Sequence, residues 1–316
     1  MGPENGYLST IGRQGSGARR TLLWTAIKLL ADSGPKKKPD TVQRPHVLLL
    51  DEPELCLHPG TVRKACDLLY SLPNTTGNWQ VMVTTHSPCF VDFSREHTSI
   101  VRVERQPNGK VVGTTIFRPN QANFDDNDRE QLKLLNLCDP YVAEFFFGGK
   151  TIVVEGDTEY AAFKYIIGQT PQEYDDVHIV RARGKATIVS LCKILNQFGA
   201  PYAVLHDSDK PTYVSKDKEF HNPAWAHNKS IQLESFKGSA AKRLVASIPN
   251  FEAAYLSKEA VTNKPYNALN CLKTDADAVK IIRDLLGALI DFTKPLPHGA
   301  IDWNDIDKLR CEVEKI

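Results

Sequence analysis

The sequence predicts an α/β protein made of two successive α/β units, and three observations carry that expectation. Two apolar runs, Val47-Leu48-Leu49-Leu50 and Gln80 to Thr85, flank a helical pattern over Thr61–Leu72. Further on, apolar runs at Thr151–Val154, Val177–Val180 and Tyr202–Leu205 alternate with helical patterns at Thr158–Ile167 and Lys185–Phe198. That order implies right-handed crossovers and a parallel sheet with flanking helices. The chain has 316 residues, 41% hydrophobic and 24% charged, which suits two globular domains of about 150 residues each.

The elements follow in order. From Gly17 to Ala31 the apolar residues Leu22, Leu23, Ala26, Ile27, Leu29 and Leu30 recur at helical spacing. Gly34-Pro-Lys-Lys-Lys-Pro39 then reads as an exposed loop. Val47–Leu50 shows no alternation, the mark of a strand covered on both faces. Ile100–Phe117 alternates around Asn108-Gly109, a hairpin signal. Asn120–Phe147 is acidic and then helical, and joins the two units. Beyond Pro211, loops mix with helices, including an amphipathic stretch over Ala276–Phe292. These features set domain boundaries at 119/120 and 148/149.

Charge and cysteine content narrow the function classes. Lys plus Arg total 39 against 38 Asp plus Glu, a net charge of +1. This excludes a polycationic or acidic tail but permits a local basic groove. Seven cysteines without a CxxC pair predict buried reduced thiols and a cytoplasmic setting. Thr21–Ala31 is interrupted by Lys28 and is too short to span a bilayer, so no membrane partner is expected. Met1-Gly2-Pro3-Glu4 lacks the basic-then-apolar pattern of a leader peptide.

Two constellations carry chemistry. In the first, Leu48-Leu-Leu-Asp51-Glu52-Pro53 ends a strand in two acids, suited to present Asp51 to Mg²⁺ and to let Glu52 polarise a water. His86, in Thr84-Thr-His-Ser-Pro88, follows a second strand where it can touch a γ-phosphate. Upstream, Gly12-Arg-Gln-Gly15-Ser16-Gly17 opens a helix whose free N–H groups can cradle an anion. This ordered trio resembles the ABC-type ATPases. The resemblance makes Gly15, Ser16 and Gly17 the signature loop, Asp51 and Glu52 the Walker B pair, and His86 the switch histidine. A P-loop, G-x-x-x-x-G-K-[ST], is missing, since Gly17 is followed by Ala18 and Arg19. The segment is therefore expected to be the C-terminal part of an ABC-type ATPase domain, with ATP bound only in a full-length protein. ATP hydrolysis by this chain alone is expected to be negligible in a phosphate-release assay; robust turnover would overturn that reading.

The second constellation is a group of carboxylates. Glu155-Gly-Asp-Thr-Glu159 ends one strand and begins a helix, with Asp157 or Thr158 suited to cap it. His206-Asp207-Ser208-Asp209 ends another strand, and Glu155, Glu159, Asp207 and Asp209 should share one carboxyl edge of the sheet. Crowded carboxylates need cations to neutralise them. Two Mg²⁺ or Mn²⁺ ions balance four acids, one activating water and the other steadying the leaving oxygen. The pattern E-G-x-x-E followed by D-x-D, over Lys150–Pro211, resembles the Toprim domain of topoisomerases, primases and some nucleases.

The succession of both modules resembles the OLD (overcoming lysogenization defect) family of ATP-linked nucleases, related to the Gabija phage-defence nuclease subunit. The resemblance extends from about Gly12 to Leu269. It implies metal-dependent DNA cleavage by the Toprim half, regulation or assembly by the ATPase half, and a helical elaboration at the C-terminus. It also implies that Glu252 completes a second metal site and that Lys264 is the site lysine stabilising transition-state charge, with Lys273 as a competitor and Glu155 and Asp207 as catalytic acids. Ser208 is a further candidate ligand. DNA phosphates would meet Arg181, Arg183, Lys185 and Lys210. Self-association, a helicase-like partner and a role in phage defence or DNA processing are further implications. Two other readings stay open: an ATP-controlled DNA-binding or assembly module with an inactive Toprim domain, and a topoisomerase or recombination mediator using one of Tyr160, Tyr165, Tyr202, Tyr213, Tyr255 and Tyr266.

Overall fold

The computed structural model describes residues 9–32, 45–76, 79–106, 108–139, 141–215, 218–256 and 262–315. The lysine-rich loop expected over Gly34–Pro39 lies outside them. Two compact units divide the chain, Met1–Val91 and Asp92–Ile316.

The first unit runs α1 (Ser16–Asp32), β1 (His46–Asp51), α2 (Pro59–Thr76) and β2 (Trp79–Thr84). β1 and β2 pair in parallel, from His46 opposite Trp79 to Asp51 opposite Thr84, with a helix as the crossover that parallel pairing requires. Leu48, Leu50, Val81 and Val83 face a core of Trp24, Ile27, Val62, Ala65, Leu69, Leu72 and Phe90. The unbroken run in β1 predicts cover on both faces, and here the structure differs. Val47, Leu49 and Met82 on the other face are 60%, 66% and 66% exposed. Among the described residues of this unit one helical layer packs against the strand pair, so its burial alternates.

The second unit begins with the hairpin β3 (Ile100–Arg105) and β4 (Val111–Phe117), then α3 (Asp126–Cys138). An Asp125–Asp128 capping box starts α3, each side chain accepting from the other residue's backbone N–H. The α/β body follows: β5 (Lys150–Val154), α4 (Asp157–Gln169), β6 (Val177–Arg181), α5 (Lys185–Phe198) and β7 (Tyr202–Asp207). A small hairpin, β8 (Thr212–Ser215) and β9 (Lys218–His221), precedes α6 (Pro223–Ser235) and β10 (Lys242–Ser247). The chain closes with α7 (Phe251–Tyr255), α8 (Lys264–Thr274), α9 (Ala276–Ile290), β11 (Ala300–Asp302) and α10 (Ile306–Val313).

The sheet order is β11-β10-β7-β5-β6, parallel throughout except for β11. Ile152, Val154, Ala203, Leu205 and Val245 meet Phe163, Ile166, Ile282, Leu285 and Leu286 in one apolar core. Gly149 sets the entry to β5. Its φ is +85°, and a Cβ there would lie 2.4 Å from the Asp176 carbonyl oxygen, so only glycine fits.

Three expectations change at this level. β10 emerges from a region read as loops and helices; its apolar stretch is only Leu244-Val245-Ala246, between Lys242-Arg243 and Ser247, too short to show a period. The composition shift at Asn120 does not mark a packing boundary, because the hairpin before it belongs to the second unit. Phe117 packs 6.4 Å from Phe124 and 5.7 Å from Phe146, and Phe93 lies 5.8 Å from Phe146. All seven cysteines are free, but Cys56, Cys89, Cys138 and Cys311 are exposed and only Cys192 is fully buried.

Candidate active site

The carboxyl edge of β5, β7 and β10 gathers acids from four segments. Glu155 follows β5, and its Oε2 accepts the Asp207 N–H at 3.1 Å. Asp207 ends β7, and its Oδ1 accepts the Phe251 N–H at 2.8 Å, tying the start of α7 to the same edge. Glu252, one residue into α7, is 3% exposed and accepts the Thr158 hydroxyl at 3.1 Å. Glu159 is 4% exposed in the first turn of α4. A Cβ at Gly156 would stand 3.1 Å from Glu159 Oε2, a tight approach. Asp157 and Thr158 do not cap α4; Gly156 occupies the N-cap position, and Asp157 turns to Arg181 Nη1 at 2.9 Å.

Burial and mutual repulsion shape the chemistry of this rim. Burial, then the nearby Asp207 charge, pushes Glu159 up to about 8. Burial, then Glu155, pushes Asp207 up to about 7. Glu155 is also raised, mainly by burial, against the opposing pull of the Lys185 charge. Among the described residues no three such side chains converge on one point in the manner of a closed metal shell. The donors are nonetheless all oxygen and strongly anionic, which suits Mg²⁺ or Mn²⁺ and not zinc.

Each remaining candidate has a definite place. Lys264 opens α8, and its Nζ lies 3.4 Å from Glu252 Oε2; Lys273 sits exposed in the last turn of that helix. Asp209 has φ +57° and is ion-paired with Lys185. Ser208 is fully buried, and its hydroxyl donates to the Pro249 carbonyl at 3.0 Å, so it supports the backbone. Of the residues expected to meet DNA, Arg183 and Lys210 are exposed. Arg181 is engaged by Asp157 and lies over the Tyr160 ring, and Lys185 is buried, so neither presents a free surface cation.

Two supporting roles were not read from the sequence. His206 is fully buried between Asp207 and Trp303. The Trp303 indole N–H donates to its Nε2 at 3.1 Å, which leaves the Nδ1 proton to donate to the Asp207 carbonyl at 2.7 Å. Burial pushes this imidazole down to about 3, so it stays neutral and acts as a fixed brace. The second feature is Lys185, whose Gly184-Lys185 context resembles any helix start.

In the first unit Asp51 and His86 stand at the ends of adjacent strands, with Asp51 accepting the Thr84 hydroxyl. Glu52 has φ +42°, donates its N–H to the Thr84 carbonyl at 2.9 Å, and lies 3.4 Å from His86 Nε2. Glu54 Oε1, not singled out by the sequence motifs, accepts both the Thr85 hydroxyl at 2.6 Å and the His86 N–H at 2.9 Å. Gly15, Ser16 and Gly17 lead into α1, and Gly17 packs against Cys56, where a Cβ would meet the carbonyl at 2.9 Å.

The two units match an AAA-type ATPase segment and a Toprim domain. An AAA ATPase domain family model matches residues 8–91. A model of the "Overcoming lysogenization defect protein-like, TOPRIM domain" family matches residues 146–209. The "Old nuclease" of Escherichia phage P2 is 25% identical over 203 residues, covering 63% of this chain. This chain spans about a third of that relative's length, the matched part being 33% of it. Together these similarities are to AAA ATPase and OLD-like Toprim domains. No helix among the described residues is long and apolar enough to cross a membrane.

Proposed function

We propose that the second unit is a divalent-metal-dependent endonuclease that hydrolyses DNA phosphodiesters. The observation that carries this reading is the buried rim itself. Burial, and then the neighbouring charges of Glu155, Glu252 and each other, raise the Glu159 and Asp207 carboxyls to about 8 and about 7. Such crowding is unfavourable in a purely structural position and is relieved by bound cations. Glu155, Glu159, Asp207, Asp209 and Glu252 would hold two Mg²⁺ or Mn²⁺ ions. When bound, these ions supply Lewis acidity and a more acidic water. Glu155 and Asp207 orient each other through the 3.1 Å hydrogen bond, and His206 and Trp303 hold the end of β7 in place. Lys264, 44% exposed beside Glu252, stands where its ammonium can stabilise charge on a phosphate oxygen. Exposed Arg183 and Lys210 would bind flanking phosphates, which makes binding fall with salt.

The first unit lacks the lysine of a phosphate-cradling loop, so its part is to regulate or assemble a longer polypeptide around ATP. Self-association, a helicase-like partner and a role in phage defence belong to this same proposal. A strand-passing reading is disfavoured by Tyr255. Among the described residues it feels the Asp207 and Glu159 charges, yet it is 3% exposed and its hydroxyl faces the Gly299 carbonyl.

Supercoiled plasmid incubated with the chain and Mn²⁺ or Mg²⁺ should be nicked and linearised, and EDTA should abolish this. Binding to DNA without breakage under every divalent ion would instead identify an inactive Toprim domain.

A further inference from the structure

We propose that Lys185 is a positioning residue of the cation site, a tethered positive charge that holds Asp209 on the rim and sets how tightly divalent ions bind there. This rests on the two-ion reading above. Arg183, with φ +62°, and Gly184, with φ +130°, turn the chain after β6 so that α5 starts beneath the rim. Lys185 is the first residue of that helix, and its side chain is 2% exposed. Its ammonium is bonded to Asp209 Oδ2, and its charge reaches both Glu155 and His206.

A buried ammonium costs several kcal/mol unless it is well paired. An aliphatic side chain would fill the start of α5 without that cost, so what Lys185 contributes here is its charge. Burial also removes it from the surface that nucleic acid can reach. It therefore acts inward, through Asp209, whose left-handed backbone confines where the carboxylate can point. A divalent ion on the rim has to share Asp209 with this ammonium and sits in its repulsive field. The lysine thus orients one ligand while weakening the affinity of the whole site, which keeps bound ions exchangeable.

The test is a Mn²⁺ titration of the intact chain without DNA, with free Mn²⁺ read by electron paramagnetic resonance. Lys185→Met should bind Mn²⁺ at least about fivefold more tightly than the unsubstituted chain, because a fixed positive charge is gone. Lys185→Arg, which keeps the charge, should stay within about twofold. Thermal melting establishes that each variant is folded, and Lys185→Gln takes the place of the Met variant if the latter is not. A purely packing role predicts no gain, so unchanged or weaker Mn²⁺ binding by a folded neutral variant overturns the inference alone. If the unsubstituted chain binds no Mn²⁺, the two-ion reading falls and this inference with it.

Discussion

Asp207→Asn should lower DNA cleavage by about a thousandfold while making the metal-free chain more stable. The carboxylate ends β7 at the centre of the rim, within the field of Glu155, Glu159, Glu252 and Asp209. Asparagine keeps an oxygen for the Phe251 N–H, so the hydrogen bond that positions α7 survives. It removes the charge that a cation needs and the charge that repels the other acids. Loss of a central ligand is expected to cost several kcal/mol of transition-state stabilisation, and each 1.36 kcal/mol is a factor of ten in rate. The relief of repulsion should add about 1–2 kcal/mol to unfolding in EDTA, the usual sign of a site that gives up stability for function. Plasmid cleavage and urea unfolding of the same preparation check both halves. Cleavage within threefold of the unsubstituted chain would remove Asp207 from the site.

The second large effect is on pH and stability. Glu159 is raised to about 8 from 4.5, and Asp207 to about 7 from 3.8. A carboxyl with a raised folded value binds its proton more tightly in the folded chain than in the unfolded one. Stability in EDTA should therefore fall as pH rises from the ordinary carboxylate range through about 8, and level off above it. A shift of this size in one group corresponds to roughly 4–5 kcal/mol, and the pair shares its protons, so the two effects do not simply add. Saturating Mn²⁺ should flatten or reverse the trend, because the ion favours the charged acids. Melting temperatures from pH 5.5 to 8.5, with EDTA and with Mn²⁺, read this directly. A melting temperature in EDTA that holds level or climbs over that interval would contradict the crowded rim.

Much of this arrangement was legible before the structure. Glu155, Asp207 and Asp209 stand at or just past strand ends and Glu159 in the helical turn that follows one, and a βαβαβ order forces parallel strand ends to one edge. Glu252 and Lys264 were reachable only through the family resemblance, because both lie in helices that no local pattern ties to the sheet; the structure pairs them at 3.4 Å. Lys185 was read as a surface contact, since one lysine after a glycine carries no sign of burial. The His206–Trp303 brace joins residues 97 positions apart, a separation that no spacing rule covers. The exposed faces at Val47, Leu49 and Met82 show the converse limit, because hydrophobicity records what a strand is made to meet and not what covers it in this unit.

The most direct measurement is anomalous diffraction at the manganese edge from crystals of the chain soaked in Mn²⁺. Two peaks are expected at the carboxyl edge of β5 and β7, within coordination distance of oxygens from Glu155, Asp207 and Asp209, with Glu159 and Glu252 completing the set. Strong peaks elsewhere on the protein, with none at this edge, would contradict the two-ion reading.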